Sequence, residues 1–291
     1  MKSSMANVEY SPSKADLYFP ARRGNFFAGI APDNDAAVCA EMARLAYCRK
    51  EPAFGFDTDQ VTAVLKSQGF TAQFFESRGT PDGIGTHSFL ALDPTRKLAI
   101  ASFRGTDASD PTDLFHDAYA LQIPWERGGR VHAGFTHALA HVQHDLLAAI
   151  DAVDYKTYYT GHSLGAAMAT LLASLRKPDH LYTIGSPRIG DNDFVDTLAG
   201  VNASRFVDCC DLVTRIPPEN LSLSAPYKHF GLPLYIDRNR NLLENPADDF
   251  IQNDRLQAST DYIMKYSWIS GNVAVRQLAD HAPINYIAAL K

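Results

Sequence analysis

One short stretch restricts what this chain can fold into more than any other. A β-prone run, TYYT at 157–160, leads into GHSLG at 161–165, and an Ala-rich apolar run, AAMATLLASLRK, follows from 166. Strand, tight turn and helix in that order are the context that the pattern G-x-S-x-G requires. Ser163 then sits on a sharp strand-to-helix turn in a strained backbone conformation, with its hydroxyl projecting above the sheet. Gly161 and Gly165, two positions before and two after, crowd the neighbouring strand and helix, where only a very small residue fits. Ala166, Ala167 and Ala169 keep the helix slim enough to lie close to a sheet. The helix N-terminus directs free N–H groups to the place where negative charge develops during attack on a carbonyl. A Gly-rich turn beside a capping serine is the bland alternative, and it calls for neither the strand before nor the helix after. The stretch therefore predicts a nucleophilic serine, Ser163.

The rest of the chain alternates in the same way. Asp33 or Asn34 can cap a helix whose apolar positions Ala37, Val38, Met42, Leu45 and Ala46 recur at helical spacing. A second helix is expected over 57–68, ended by Gly69. HSFLALDP and RKLAIASFRGT read as strands around a Pro-containing turn, and a long helix over roughly 136–153 follows. After the serine motif come the strand HLYTIGS, the short helix DNDFVDTLAG, and the strands SRFVDCCDLV and KHFGLPLYID. Residues 241–258 read as loop, and 259–290 as mostly helical with interruptions near Ser270–Gly271 and at Pro283. This order predicts an α/β fold with a mostly parallel central sheet and helices on both faces. One domain over 31–291 is expected, preceded by a surface arm at 1–30.

The chain has 291 residues, 46% of them apolar, enough for a large core, and a net charge of −6 with no Lys/Arg-rich block. Nucleic acid is therefore not an expected partner. No apolar run of signal-peptide length follows Lys2, so a Sec-type leader is not expected in this chain, and the compartment stays open. The longest mostly apolar stretch, 165–175, is too short to span a bilayer. Cys39 and Cys48 fall in one helical run, roughly 13 Å apart at the helical rise, beyond disulfide reach. Cys209 and Cys210 are adjacent in an expected strand, with side chains on opposite faces. All four read as packed thiols.

Five blocks in order carry a family resemblance: SFRGT at 102–106, VHAGF at 131–135, GHSLGAA at 161–167, GSPRIGD at 185–191 and DLVTRIPP at 211–218, with DHAPINYI at 280–287 closing the series. The chain resembles the class 3 lipases, fungal triacylglycerol lipases and their bacterial relatives, from about residue 35 to its end. The resemblance implies an α/β-hydrolase fold and a carboxylic-ester hydrolase with Ser163 as nucleophile, Asp211 as orienting acid and His281 as base. Ser, then Asp, then His is also the chain order this fold uses. The resemblance further assigns the oxyanion hole to the backbone N–H groups of Thr106 and Leu164. No metal and no organic cofactor is implied. The substrate implied is a lipid or small neutral ester, with acylglycerols as the family default and soluble short-chain, feruloyl-type or phospholipid esters as alternatives. A catalytically dead binding module is disfavoured because serine, acid and histidine are all present.

The family places a lid after Thr106, here about 107–125. DASDPTDLFHDA carries Asp107, Asp110, Asp113 and Asp117 but few large apolar residues, which predicts weak interfacial activation and at most transient contact with a lipid surface. Phe115, Tyr119, Leu121, Ile123 and Trp125 are expected to wall the cleft. Other histidines have other expected roles. His162 packs in the elbow, His132 makes a structural hydrogen bond, and His229 is the main competitor for the base. His137, His141 and His144 form a solvated helix face rather than a metal site. Asp208 competes with Asp211, and DLVTRIPP favours Asp211.

Overall fold

The computed structural model describes residues 9–50, 55–77, 85–106, 121–219 and 226–291. Eight strands form one sheet: β1 (Thr71–Glu76), β2 (His87–Asp93), β3 (Leu98–Phe103), β4 (Lys156–His162), β5 (His180–Ile184), β6 (Ala203–Asp208), β7 (Pro233–Ile236) and β8 (Leu242–Glu244). They lie side by side in chain order. β3 to β7 pair in parallel, while β1–β2, β2–β3 and β7–β8 pair antiparallel. The observed sheet is thus mostly parallel. Its central strands are buried on both faces, which is why LAIASF reads as an unbroken apolar run.

The two faces build separate cores through strict alternation. Phe89, Ile100, Tyr158 and Ile184 face one core with helices α2 (Asp35–Leu45) and α10 (Pro283–Leu290). Leu90, Ala99, Ala101, Tyr159 and Leu181 face the other, with α4 (Ala133–Ala140), α5 (Gln143–Asp151) and α6 (Leu164–Leu175). Asn34, one of the two residues expected as the cap, caps α2 by accepting from the Ala37 N–H, and Asp57 caps α3 (Thr58–Ser67) by accepting from Gln60.

Four expectations change. Residues 9–30, expected as a surface arm, send Leu17, Phe26, Phe27 and Ile30 into the first core around the short helix α1 (Lys14–Tyr18). The amide of Asn285 in α10 bonds both the N–H and the carbonyl of Ser11, which fastens this segment down. The long helix at 136–153 is two helices, α4 and α5, broken at His141–Val142. The break lets both halves press one stripe, Phe135, Leu139, Val142, Leu146 and Ile150, into the second core. Residues 241–258 are not loop: they hold β8 and the first part of α8 (Asp248–Lys265). That helix buries only Asp254, Ala258 and Tyr262, four apart, so its single narrow inner stripe is hidden in a polar sequence. Finally β6 ends at Asp208, and Cys209 and Cys210 sit in the following turn with sulfurs 3.7 Å apart, not on opposite strand faces. All four cysteines are buried free thiols.

Candidate active site

The C-terminal ends of β3, β4, β5 and β6 converge on one place. β4 ends at His162, and Ser163 turns the chain directly into α6 with φ 58° and ψ −128°. Few non-glycine residues adopt that conformation, and the packing around it enforces the turn. A Cβ on Gly161 would lie 2.2 Å from the Gly165 carbonyl carbon, and one on Gly165 would lie 2.2 Å from the Phe103 carbonyl oxygen. Strand, elbow and helix are therefore pressed together as G-x-S-x-G demands. The Ser163 N–H donates to the Ile184 carbonyl of β5 at 3.0 Å, which fixes the elbow against its neighbour.

Asp211 sits in the turn after β6, its N–H bonded to the Asp208 carbonyl at 2.9 Å. Its carboxylate faces His281, whose Nδ1 lies 3.0 Å from Oδ1 and 2.9 Å from Oδ2. Oδ1 also accepts the Val213 N–H at 2.9 Å, and the Tyr286 phenol donates to Oδ2. Both Asp211 and His281 are buried. With Nδ1 held as donor to the carboxylate, Nε2 is left as the unprotonated face of the ring. Ser163 Oγ is 2% exposed as a residue and has no hydrogen-bond partner among the described residues. The hydroxyl is thus buried and uncommitted among the described residues.

The competing groups are occupied elsewhere. Asp208 is held by two bonds from Arg240 Nη1, at 2.7 and 2.8 Å. His229 donates through Nε2 to the Thr214 carbonyl at 2.9 Å. His162 Nδ1 meets the Tyr47 phenol at 2.8 Å, and its Nε2 meets the His281 carbonyl at 2.7 Å. Burial, and then the neighbouring His281, push His162 well below the usual histidine range, so it stays neutral. His132 caps α4 by accepting the Gly134 N–H and stacks on Phe135. His137, His141 and His144 are exposed.

Leu164 opens α6, where its N–H has no intrahelical acceptor. Thr106 follows Gly105, and a Cβ on Gly105 would lie 3.1 Å from Ser163 Cβ. The chain leaving β3 therefore approaches the serine at Gly105, the residue before Thr106. Among the expected cleft walls, Phe115 and Tyr119 lie outside the described residues, as do Asp107, Asp110, Asp113, Asp117 and most of the lid. Leu121 is 71% exposed. Trp125 does not wall a cleft: it is buried in the second core, its indole N–H donating to Ser174 Oγ and its ring edge-on to Phe194. The ribbon of 122–124 and 130–132 turns the indole inward against the far end of α6, and burying so large a side chain outweighs keeping it at a polar rim.

Three supporting residues escaped the sequence reading. Tyr286 donates to Asp211, and burial followed by the Asp211 charge pushes its phenol well above the usual range, so it remains a donor. Tyr47 holds His162 beneath the elbow. Gly185, at φ +59°, lies where a Cβ would come 2.9 Å from Asp211 Oδ2 and 3.1 Å from the Tyr286 oxygen. Tyr286 stands inside the DHAPINYI block, the one signal that pointed toward it. Among the described residues, Cys209, Cys210 and Asp280 bring their ligand atoms within 4.8 Å of one another. The Asp280 carboxylate there is already taken by Tyr10, Arg276 and the Cys210 N–H.

A family model described as Lipase (class 3) matches residues 100–221. Secreted mono- and diacylglycerol lipase 1 of Fusarium solani is 32% identical over 170 residues, covering 55% of this chain and 49% of that protein. Toxin TseL of Vibrio cholerae is 34% identical over 292 residues, covering 82% of this chain and 44% of the toxin. The chain thus spans about half the length, or less, of these curated relatives. The solved lipase of Rhizopus microsporus var. chinensis superposes with a TM-score of 0.56 at 23% identity, covering 81% of this chain and 85% of that one, a likeness of fold. No helix among the described residues is long and apolar enough to cross a membrane. Residues 100–221 thus match the class 3 lipase family, and the sheet that carries them has the fold of the solved lipases to which the chain is similar.

Proposed function

We propose that this protein is a serine carboxylic-ester hydrolase that cleaves acylglycerol esters through an acyl-enzyme. The observation that carries the reading is the Asp211–His281 pair, at 2.9 Å, whose His281 carbonyl lies 2.7 Å from Nε2 of His162, the residue just before the strained elbow at Ser163. His281 Nε2 takes the Ser163 proton as Oγ attacks the ester carbonyl. The carbonyl oxygen gains negative charge and accepts from the Thr106 and Leu164 N–H groups, each worth on the order of 3 kcal/mol in the transition state. The tetrahedral species collapses as His281 returns the proton to the leaving alcohol, which leaves Ser163 acylated. Water, deprotonated by the same imidazole, then attacks the acyl carbonyl, releases the acid and restores the hydroxyl. Asp211 fixes the tautomer and stabilises the imidazolium throughout.

The acylglycerol assignment draws on the Fusarium relative, whose name states mono- and diacylglycerol lipase. A p-nitrophenyl ester chain-length series, run beside emulsified triolein and monoolein, tests it. Turnover of medium-chain esters and of at least one acylglycerol is expected. Turnover confined to acetyl or feruloyl esters would move the protein to the soluble esterases.

A further inference from the structure

Behind the acid's loop lies a cavity of about 450 Å³ that the ester-cleaving reading leaves unused. Four arginines line it, Arg188, Arg205, Arg215 and Arg255, and none of Ser163, Asp211 or His281 does. In a chain of net charge −6 such a concentration of cations is a local departure. None of the four pairs with a carboxylate among the described residues. Arg188 donates through Nη1 to the carbonyls of Arg215 and Pro217. Arg205 and Arg255 each use only Nε, toward the carbonyls of Gly231 and Cys209 at 2.9 and 2.8 Å. Backbone oxygens thus fix the stems, and the guanidinium forks of Arg205 and Arg255 have Nη groups without partners among the described residues. The cavity's carboxylates are Glu219, engaged by Lys228, and the exposed Asp248.

We propose that this cavity is a binding site for a phosphate group. Arg205 is buried, Arg188 and Arg255 are half-buried and Arg215 is exposed; the Glu219 charge acts on Arg188, and an anionic ligand would offset the cations that remain. Arginine forks match tetrahedral oxyanions through paired N–H bonds, and several of them converge here. Burial and then Arg188 hold Arg205 down to about 10, which reflects the same crowding. His229 supplies the second half of the recognition. Its Nε2–H is spent on Thr214, and its buried Nδ1 has no partner among the described residues. Burial, then Arg205 and Arg188, push the ring well below the usual histidine range against the Thr214 and Pro187 carbonyls, so with Nε2–H on Thr214 the Nδ1 lone pair is an acceptor on a residue that lines the arginine cavity. A singly protonated phosphate offers both negative oxygens and one O–H, which sulfate and carboxylate lack near neutral pH. The volume leaves room for the organic group that carries the phosphate. Thr214, whose Oγ1 donates to the Asp211 carbonyl at 2.8 Å, joins this wall to the acid's loop.

The test is calorimetric titration of the intact protein with inorganic phosphate, with sulfate, and with dihexyl-ether phosphatidic acid below its micelle concentration. The ether lipid cannot be hydrolysed, so the result does not depend on ester cleavage. Phosphate should bind, with sulfate roughly fivefold weaker for want of one hydrogen bond. Arg188→Gln and Arg205→Gln should each weaken phosphate about tenfold, roughly 1.4 kcal/mol, while Arg127→Gln outside the cavity should not. Arg188 is only partly buried, so its variant decides the question if Arg205→Gln fails to fold. Binding of both free phosphate and the lipid supports a site indifferent to the carrier, and binding of the lipid alone supports a headgroup site. No binding of either, sulfate as tight as phosphate, or equal weakening by Arg127→Gln would overturn the assignment.

Discussion

The Tyr286 phenol donates to Asp211 Oδ2, the same oxygen that lies 2.9 Å from His281 Nδ1. The phenol oxygen also accepts the Asp208 N–H at 3.1 Å. One buried hydroxyl thereby ties the end of β6 to the acid and, through it, to the base. Tyr286→Phe leaves the Asp208 N–H without its acceptor and the carboxylate short of a donor. Urea unfolding should show a loss of about 1–3 kcal/mol. Turnover of p-nitrophenyl butyrate should show a roughly tenfold fall in kcat, about 1.4 kcal/mol, with KM little changed. A purely structural role would lower stability and leave kcat intact.

Gly185→Ala tests the same cluster from the other side. At φ +59° a side chain is strained, and the new Cβ would press 2.9 Å from Asp211 Oδ2. The carboxylate must move, and with it His281. The variant should lose more than the roughly 1 kcal/mol of an ordinary Gly/Ala backbone effect, and its kcat should drop further than its melting temperature implies. Full activity in a stable Gly185→Ala protein would show that the acid has room to spare.

Serine and histidine that act as one unit have non-additive losses. Ser163→Ala and His281→Ala should each remove nearly all turnover, and the double variant should be no slower than either single variant. Steady-state rates on one soluble ester decide it. Losses that multiply would mean independent roles.

The sequence points to those parts of the candidate site that local chain geometry dictates. Ser163 is announced by two flanking glycines that only a tight elbow needs, and Asp211 and His281 by blocks that follow it in order. Tyr47, Tyr286 and Gly185 act through contacts made across the fold, Tyr47 on His162 over 115 positions and Tyr286 on Asp211 over 75. No local pattern encodes such contacts. The same reason hid α8, where a stripe of three buried side chains lies among polar ones, and misplaced Trp125, whose packing against Phe194 depends on how the ribbon turns.

Two buried histidines, His87 and His162, and the half-buried His229 set an acid limit on stability. Burial, and then Arg104, hold His87 down to about 3. His162 and His229 are pushed well below their usual range, burial being the larger cause in each. Their folded pKa values lie below the unfolded value near 6.5, so the folded state binds fewer protons. The stability is present above about pH 6.5 and is lost as pH falls toward the folded values. Unfolding free energy should therefore decline from about pH 7 to 5, each histidine adding up to about 1.4 kcal/mol per pH unit. His87→Gln, which keeps an acceptor for the Arg104 Nη1 now 2.7 Å from His87 Nδ1, should flatten the slope by one proton. An unchanged slope would mean that His87 titrates normally in the fold.

The central claim is that Ser163 is the nucleophile. A fluorophosphonate probe followed by peptide mapping, run on wild type and on Ser163→Ala beside ester turnover, tests it most directly. Wild type should be labelled once, on Ser163, and lose activity in step with labelling. Folded Ser163→Ala should take no label and keep only the residual rate of roughly 10³–10⁴ over water that binding and the oxyanion hole supply. Label on another residue, or near-wild-type turnover in the folded variant, would contradict the account.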